Sequence, residues 1–238
     1  MLMVKGRSLV GAVCLTVMLV ASASTSWAAI IYDFGNPQDY TLSAVIAAGG
    51  IKVGDKLFDN FQVTTNKSTG AVAPDASGIS VRGVLQSGDY GLRFNGGWSA
   101  AQNQIADSTI KYKVTADDPF LIKDNTLMIS AFGAVNGGIV SVSENLYLQN
   151  PDVVINPPIA NELVYYVSAT NQGLVSSGTF SPTASVWVVK DVIANGGVDP
   201  NGLGHLSEFY QTFSQVPEPA TMAVLAAGAL LALRRRRA

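Results

Sequence analysis

Ile110-Lys111-Tyr112-Lys113-Val114-Thr115 sets the fold class. Its apolar residues recur at every second position and polar ones fill the gaps, the period of a strand with one face on a core and one toward water. Tyr90-Gly91-Leu92-Arg93-Phe94 has the same period, as do Ile79, Val81 and Leu85 around Arg82 and Gly83. Leu57, Asp59, Phe61 and Val63 are likewise expected on one side of a strand. Denser apolar runs at 127–132, 139–142, 163–167 and 186–189 suit strands buried between two layers, and their Val, Ile, Thr and aromatic content agrees. The punctuation is turn chemistry. Asn-Gly-Gly stands at 95–97, 136–138 and 195–197, suited to turns that need positive φ, and the irregular spacing makes these independent turns rather than a repeat. Asn150-Pro151-Asp152 and Asn156-Pro157-Pro158 bound a loop. Many short strands with Gly-rich turns and little helix predict an all-β antiparallel sandwich, jelly-roll-like. Residues 40–48 fit a short helix or a strand equally.

Outside this body the chain changes character. Lys5 and Arg7 precede an apolar run at 9–23, and Ser26-Trp27-Ala28 supplies the small residues of a cut between Ala28 and Ala29. This is a secretory signal peptide at 1–28, read by a Sec translocon, and its apolar run predicts a helix. Cys14, the chain's one cysteine, lies inside that run. Val13 before it and the apolar residues after it do not make a lipoprotein acceptor site. Removal of the peptide leaves no cysteine, which excludes disulfides, thiolate metal sites and cysteine nucleophiles. The body at 29–215 holds nine basic and sixteen acidic residues, so it is acidic although the whole chain is nearly neutral. The absence of a basic stripe argues against nucleic acid or an anionic lipid surface as partner.

The C-terminus, 216–238, has three parts in order. Val216-Pro217-Glu218-Pro219 is held extended by its two prolines, the run at 220–233 is an uncharged Ala- and Leu-rich helix, and Arg234, Arg235, Arg236 and Arg237 follow. At about 1.5 Å per residue the helix reaches roughly 21 Å against a hydrocarbon core of ~30 Å, a short transmembrane span that snorkelling arginines help to fit. The arginines act as a stop signal on the cytoplasmic side of the inner membrane. This tail resembles the PEP-CTERM sorting signal of Gram-negative bacteria, also catalogued as the ice-binding-protein C-terminal domain. The resemblance implies handling by an integral-membrane exosortase that cleaves near the motif, and hence a membrane-anchored intermediate that ends at the cell surface or outside it. A tail left uncleaved is instead a plain anchor. In the body, Val53-Gly54-Asp55-Lys56-Leu57-Phe58, Tyr90-Gly91-Leu92-Arg93-Phe94 and His205-Leu206-Ser207-Glu208-Phe209 resemble a group of secreted PEP-CTERM proteins. That implies a shared exported β-domain and carries no site residue. The final strand is expected to lead almost directly into the tail.

Chemistry-bearing residues are few. His205, the lone histidine, is expected on the surface or an edge strand; Ser207 and Glu208 are too near it in sequence to define a triad, and no Gly-x-Ser-x-Gly elbow occurs. Glu144, Glu162 and Glu208 are the body's only glutamates, and two facing across a cleft could hydrolyse a glycosidic bond. Asp117, Asp118 and Asp124, with Asp55 and Asp59 near another strand, are candidate calcium ligands at a sandwich rim, although Asp also favours metal-free turns. Trp98, beside Asn95-Gly96-Gly97, is the candidate exposed platform for stacking a sugar, and Trp187 is assigned to the core. No regular Thr rows mark an ice-binding face. The expectation is an exported envelope or matrix protein, structural or adhesive and non-enzymatic, in contact with extracellular polysaccharide and with no cofactor. The alternatives are a carbohydrate- or calcium-binding module of the same fold and, third, a glycan-active enzyme.

Overall fold

The structure, a computed structural model, describes residues 30–33 and 37–217. The signal peptide with its cut at Ala28 and Ala29, the helix expected at 220–233 and the four terminal arginines lie outside the described residues. Two sheets face each other. The first has eight strands, in the order β1 (Ile31–Tyr32), β3 (Gly50–Val53), β4 (Lys56–Lys67), β7 (Ile105–Ala116), β13 (Ser185–Asn195), β9 (Ile139–Tyr147), β10 (Ala160–Ser168) and β11 (Asn171–Gly173). The second has six, in the order β12 (Val175–Thr183), β8 (Phe120–Val135), β14 (Leu203–Pro217), β6 (Asp89–Ala101), β5 (Ser80–Gln86) and β2 (Tyr40–Thr41). All pairings are antiparallel except β1 with β3. From β4 onward the chain crosses repeatedly between the sheets, as a jelly-roll-like sandwich requires.

Alternation places the core. Ile110, Tyr112 and Val114 of β7 point inward with Val186, Val188 and Val192 of β13, and meet Leu92, Phe94, Phe209 and Phe213 of the second sheet. The Phe94 and Phe209 rings stack at 4.9 Å between centroids, and Phe61 stacks on Tyr112 at 5.1 Å. Burial of such rings supplies most of the stabilisation in a fold without disulfides, about 1.5–3 kcal/mol for each large apolar side chain.

Four sequence expectations change. The face expected from Leu57, Asp59, Phe61 and Val63 is broken by a bulge at Asn60, whose φ is +56°, with a register shift between Asp59 and Gln62. Phe58 points inward before it and Phe61 after it, so one extra residue reverses the phase. The dense runs are not buried on both faces. Val186 and Val188 are buried while Trp187 and Val189 are half-exposed, and Leu163 and Ile139 face water. Asn95-Gly96-Gly97 is not a turn but the middle of β6, whereas Asn136-Gly137 does turn the chain with φ of +48° and +77°. Residues 40–48 are both strand and helix: β2 runs into α1 (Leu42–Ala47), where the Thr41 side chain caps the N-terminus by accepting from Ala44 N and Leu42 and Val45 are buried.

Candidate functional site

The outer face of the first sheet carries an open groove of about 280 Å³ lined by Gln62, Thr64, Thr109, Lys111, Tyr147, Pro151, Asp152 and Val189. Register builds it: Gln62 pairs with Lys111, which pairs with Val189, which pairs with Asn145, so the outward residues of β4, β7, β13 and β9 form one row. The next row sets Trp187 directly opposite Tyr147. Lys111 lies 6.0 Å from the centre of the Trp187 ring and forms an ion pair with Asp152 that ties the 148–159 loop down over the groove. Burial lowers the Lys111 pKa. Beyond Asp152 the loop turns Val153 and a fully exposed Ile155 to solvent. The two tryptophans therefore exchange their expected roles. Trp98 is 0% exposed, its Nε1 donates to Ser108 Oγ at 2.9 Å, and its ring packs 5.8 Å from Phe209. It cannot stack a ligand. Gly96 makes its room, since a Cβ there would stand 2.7 Å from the Trp98 ring.

The glutamates do not face a cleft. Glu144 and Glu162 are register partners on β9 and β10 that point into the sandwich, both buried, and Asn125 of β8 donates from Nδ2 to Glu144 Oε1 at 2.6 Å and to Glu162 Oε2 at 2.9 Å. Lys190 of β13, fully buried, contacts Glu144 Oε2 and Gln211 Oε1 of β14. Gln211 Nε2 donates to Glu144 Oε1 at 2.5 Å, and Tyr112 OH lies 3.5 Å from Gln211 Oε1. Burial lowers the Lys190 pKa well below its ordinary value and raises that of Tyr112 well above. Burial also raises Glu162, against the opposing hydrogen bond from Asn125. Gly178 of β12 leaves space for this end, because a Cβ there would fall 1.9 Å from Glu162 Oε1. Sequence reasoning did not assemble this cluster.

The remaining candidates scatter. His205 lies on the central strand β14, not on an edge, half-buried, with Nε2 at 2.7 Å from Ser207 Oγ. Glu208 turns to Tyr210 at 2.6 Å, Ser130 at 2.8 Å and Arg93 at 3.3 Å. Burial pushes the Glu208 carboxyl up, but those two hydroxyls and the guanidinium outweigh it and hold the pKa low. Asp117 is paired with Lys52 at 2.7 Å, Asp118 sits in the turn from β7 to β8, and Asp124 accepts from Ser214 Oγ. Among the described residues no three acidic, histidine or cysteine side chains converge as metal ligands.

The last strand leads into the tail. β14 is paired on both sides up to Phe213, opposite the start of β6, and on β8 alone from Ser214 to Pro217. One-sided pairing tolerates Pro217, which has no donor to give. Gln215 accepts from the buried Lys56 Nζ at 2.5 Å, so the take-off point is fixed to β4, and Pro217 is the exposed end. The family model of the PEP-CTERM protein-sorting motif matches residues 215–237, beginning on that clamped glutamine.

The chain carries a PEP-CTERM sorting motif.

Such a motif implies export through a membrane-anchored intermediate and processing by an exosortase, a membrane-associated sorting enzyme. The motif shares its first three residues with β14, so sandwich and signal overlap by Gln215, Val216 and Pro217. Among the described residues no helix is long and apolar enough to cross a membrane. A comparison with curated proteins finds none that matches. Among solved structures, TmCBM61 in complex with beta-1,4-galactotriose is 10% identical, with a TM-score of 0.29 over 74% of this chain and 99% of that one. A structure from work on the promiscuous specificity of carbohydrate-binding modules of the β-sandwich superfamily is 12% identical, with a TM-score of 0.27 over 65% and 56%. A family two carbohydrate esterase from Cellvibrio japonicus is 12% identical, with a TM-score of 0.23 over 66% and 36%. Likenesses this distant carry no argument about what the chain binds.

Proposed function

We propose that the exported domain is a structural and adhesive, non-enzymatic component of the cell envelope or extracellular polysaccharide matrix, attaching through the outer face of its first sheet. The observation that carries this reading is the 148–159 loop. The Lys111–Asp152 pair holds it down, yet Val153 and Ile155 remain in water. A tied-down loop that keeps large aliphatic side chains exposed is what a contact surface needs. The non-enzymatic part is supported by Glu144 and Glu162 lying inside the sandwich, where no polysaccharide reaches them.

The test is co-sedimentation of the purified mature protein with insoluble matrix from the native host, read beside a reducing-end assay on the same polysaccharide. Retention of the wild type, loss of retention in a Val153→Ser, Ile155→Ser double variant, and no new reducing ends are expected. Release of reducing ends overturns the non-enzymatic reading, and equal retention of the variant overturns the adhesive surface.

A second reading is favoured by Trp187 and Tyr147. Two half-buried aromatic side chains opposite each other on an outer face, beside the polar groove at Lys111, form a platform on which a sugar ring stacks. The domain is then a carbohydrate-binding module. Trp187→Ala should abolish binding of soluble matrix oligosaccharide in calorimetry, and unchanged binding removes this reading.

A further inference from the structure

Lys190, Glu144, Gln211, Tyr112, Asn125 and Glu162 form a closed polar cluster between the sheets, each residue donated by a different strand. A buried ion pair is a poor stabiliser, because the cost of desolvating both charges rivals their attraction. A cluster of six polar side chains in a core of valine and phenylalanine therefore calls for another explanation. Three observations specify a reaction. Lys190 Nζ touches Gln211 Oε1, and since a carbonyl C=O is about 1.2 Å long, the amine is also close to the carbon bonded to that oxygen. The carboxylate of Glu144 bridges the two partners, taking Lys190 Nζ on Oε2 and Gln211 Nε2 on Oε1. Tyr112 OH lies 3.5 Å from the same Gln211 Oε1.

We propose that Lys190 and Gln211 join in an intramolecular isopeptide bond, formed without cofactor or second enzyme, with Glu144 as the proton shuttle. Lys190 reacts as the uncharged amine, the form that burial favours. Its Nζ lone pair attacks Gln211 Cδ, the new Nζ–Cδ bond forms, and the carbonyl electron pair moves onto Oε1. There the Tyr112 hydroxyl stabilises the developing oxyanion. Glu144 takes the proton that Nζ sheds and delivers it to Nε2, so that the Cδ–Nε2 bond breaks and ammonia leaves. The carbonyl re-forms, and Glu144 ends as it began. No electrons are exchanged with an outside reagent. Asn125, bonded to both glutamates, fixes Glu144 for the transfer and is a positioning residue. The product staples β13 of the first sheet to β14 of the second, the strand that carries the sorting signal.

Lys56, Asp55 and Gln215 form a second lysine–carboxylate–glutamine set, and it is the internal control. Its carboxylate, Asp55, is partly exposed, whereas Glu144 is wholly buried.

The experiment is peptide mass mapping of the full chain purified from its native host. Trypsin should leave the bond after Lys190 uncut, and further cleavage after Glu208 should yield two arms still joined, lighter than the two free peptides by one molecule of ammonia. Fragmentation should place the link on Lys190 and Gln211. In Glu144→Gln, whose side chain keeps the shape but moves no proton, trypsin should cut after Lys190 and the arms should separate. Asn125→Ala should slow formation in freshly made recombinant chain rather than abolish it. Free Lys190 and Gln211 peptides from the wild type overturn the proposal, and so does a link mapped to Lys56 and Gln215, or one that persists in Glu144→Gln.

Discussion

Replacing each body tryptophan by alanine separates the two halves of the outer-face argument. Trp98 is wholly enclosed, so Trp98→Ala loses the burial of an indole and leaves a cavity, a change that costs about 3–5 kcal/mol. The hydrogen bond to Ser108 adds little to that loss, because Ser108 Oγ also reaches Pro74 O at 3.3 Å and keeps a partner. With a urea slope of about 2 kcal/mol/M, the unfolding midpoint should fall by about 2 M. Trp187 is half in water and its ring faces the Lys111 ammonium, a contact worth about 0.5–1 kcal/mol, so Trp187→Ala should move the midpoint by less than about 0.5 M. Circular dichroism in urea measures both. Fluorescence adds a check without unfolding, since iodide should quench the Trp187 emission and leave that of Trp98 untouched. A Trp98→Ala protein that unfolds within about 0.5 M of the wild type refutes the burial argument.

The other expectations concern charge and processing. Glu162 binds its proton more tightly in the folded chain than in the unfolded one, so its contribution is present below the unfolded carboxylate range and is lost as pH rises toward the elevated native value. In Glu162→Gln the urea midpoint should therefore fall less between pH 4 and pH 7 than in the wild type, by about the whole share that this carboxyl contributes. Asp152→Asn removes the tie to Lys111 and should raise hydrogen exchange across residues 148–159, read by mass spectrometry, while leaving the exchange of the core strands unchanged. Substituting Pro217 and Glu218 together should leave a longer, membrane-retained product on immunoblots of fractionated host, and normal processing removes the sorting role assigned to that dipeptide.

Period-two alternation made the sandwich legible, because a half-buried strand writes its burial directly into sequence. What it hid are the places where one residue does two jobs. Asn95-Gly96-Gly97 has the composition of a turn, but Gly96 is small to admit the ring of Trp98, so composition alone puts at the surface a tryptophan that is buried. The bulge at Asn60 reversed the phase of β4, which no periodicity argument carries across. The buried cluster did leave a signal. Lys190 follows Val186 and Val188 in the inward phase, Glu144 follows Val140 and Val142, Gln211 lies between Phe209 and Phe213, and Asn125 lies two before Leu127. Polar residues in the apolar phase of four separate strands mark a shared interior site. That the strands converge is a matter of topology, and the sequence does not contain it. The sorting motif was legible, because a linear extended motif is read by its order and not by tertiary contact.

The position of β14 joins these findings. A domain held by its C-terminus transmits any load on its surface through its last strand, and here that strand lies in the middle of its sheet, with β8 on one side and β6 on the other. Loads that peel a strand break ladder bonds one at a time, beginning where pairing is one-sided, from Pro217 back to Ser214. The Lys56–Gln215 contact meets that load first and Gln211 is the first inward residue behind Phe213. A covalent link from Gln211 to Lys190, 21 residues apart, constrains the unfolded chain by about 3 kcal/mol on loop-closure grounds. Its larger effect is local. Peeling would stop at Gln211, because beyond it the strand is bonded through β13 to the centre of the opposite sheet. A reversible ion pair at the same place would give way under sustained force, whereas the covalent link proposed between Lys190 and Gln211 would not.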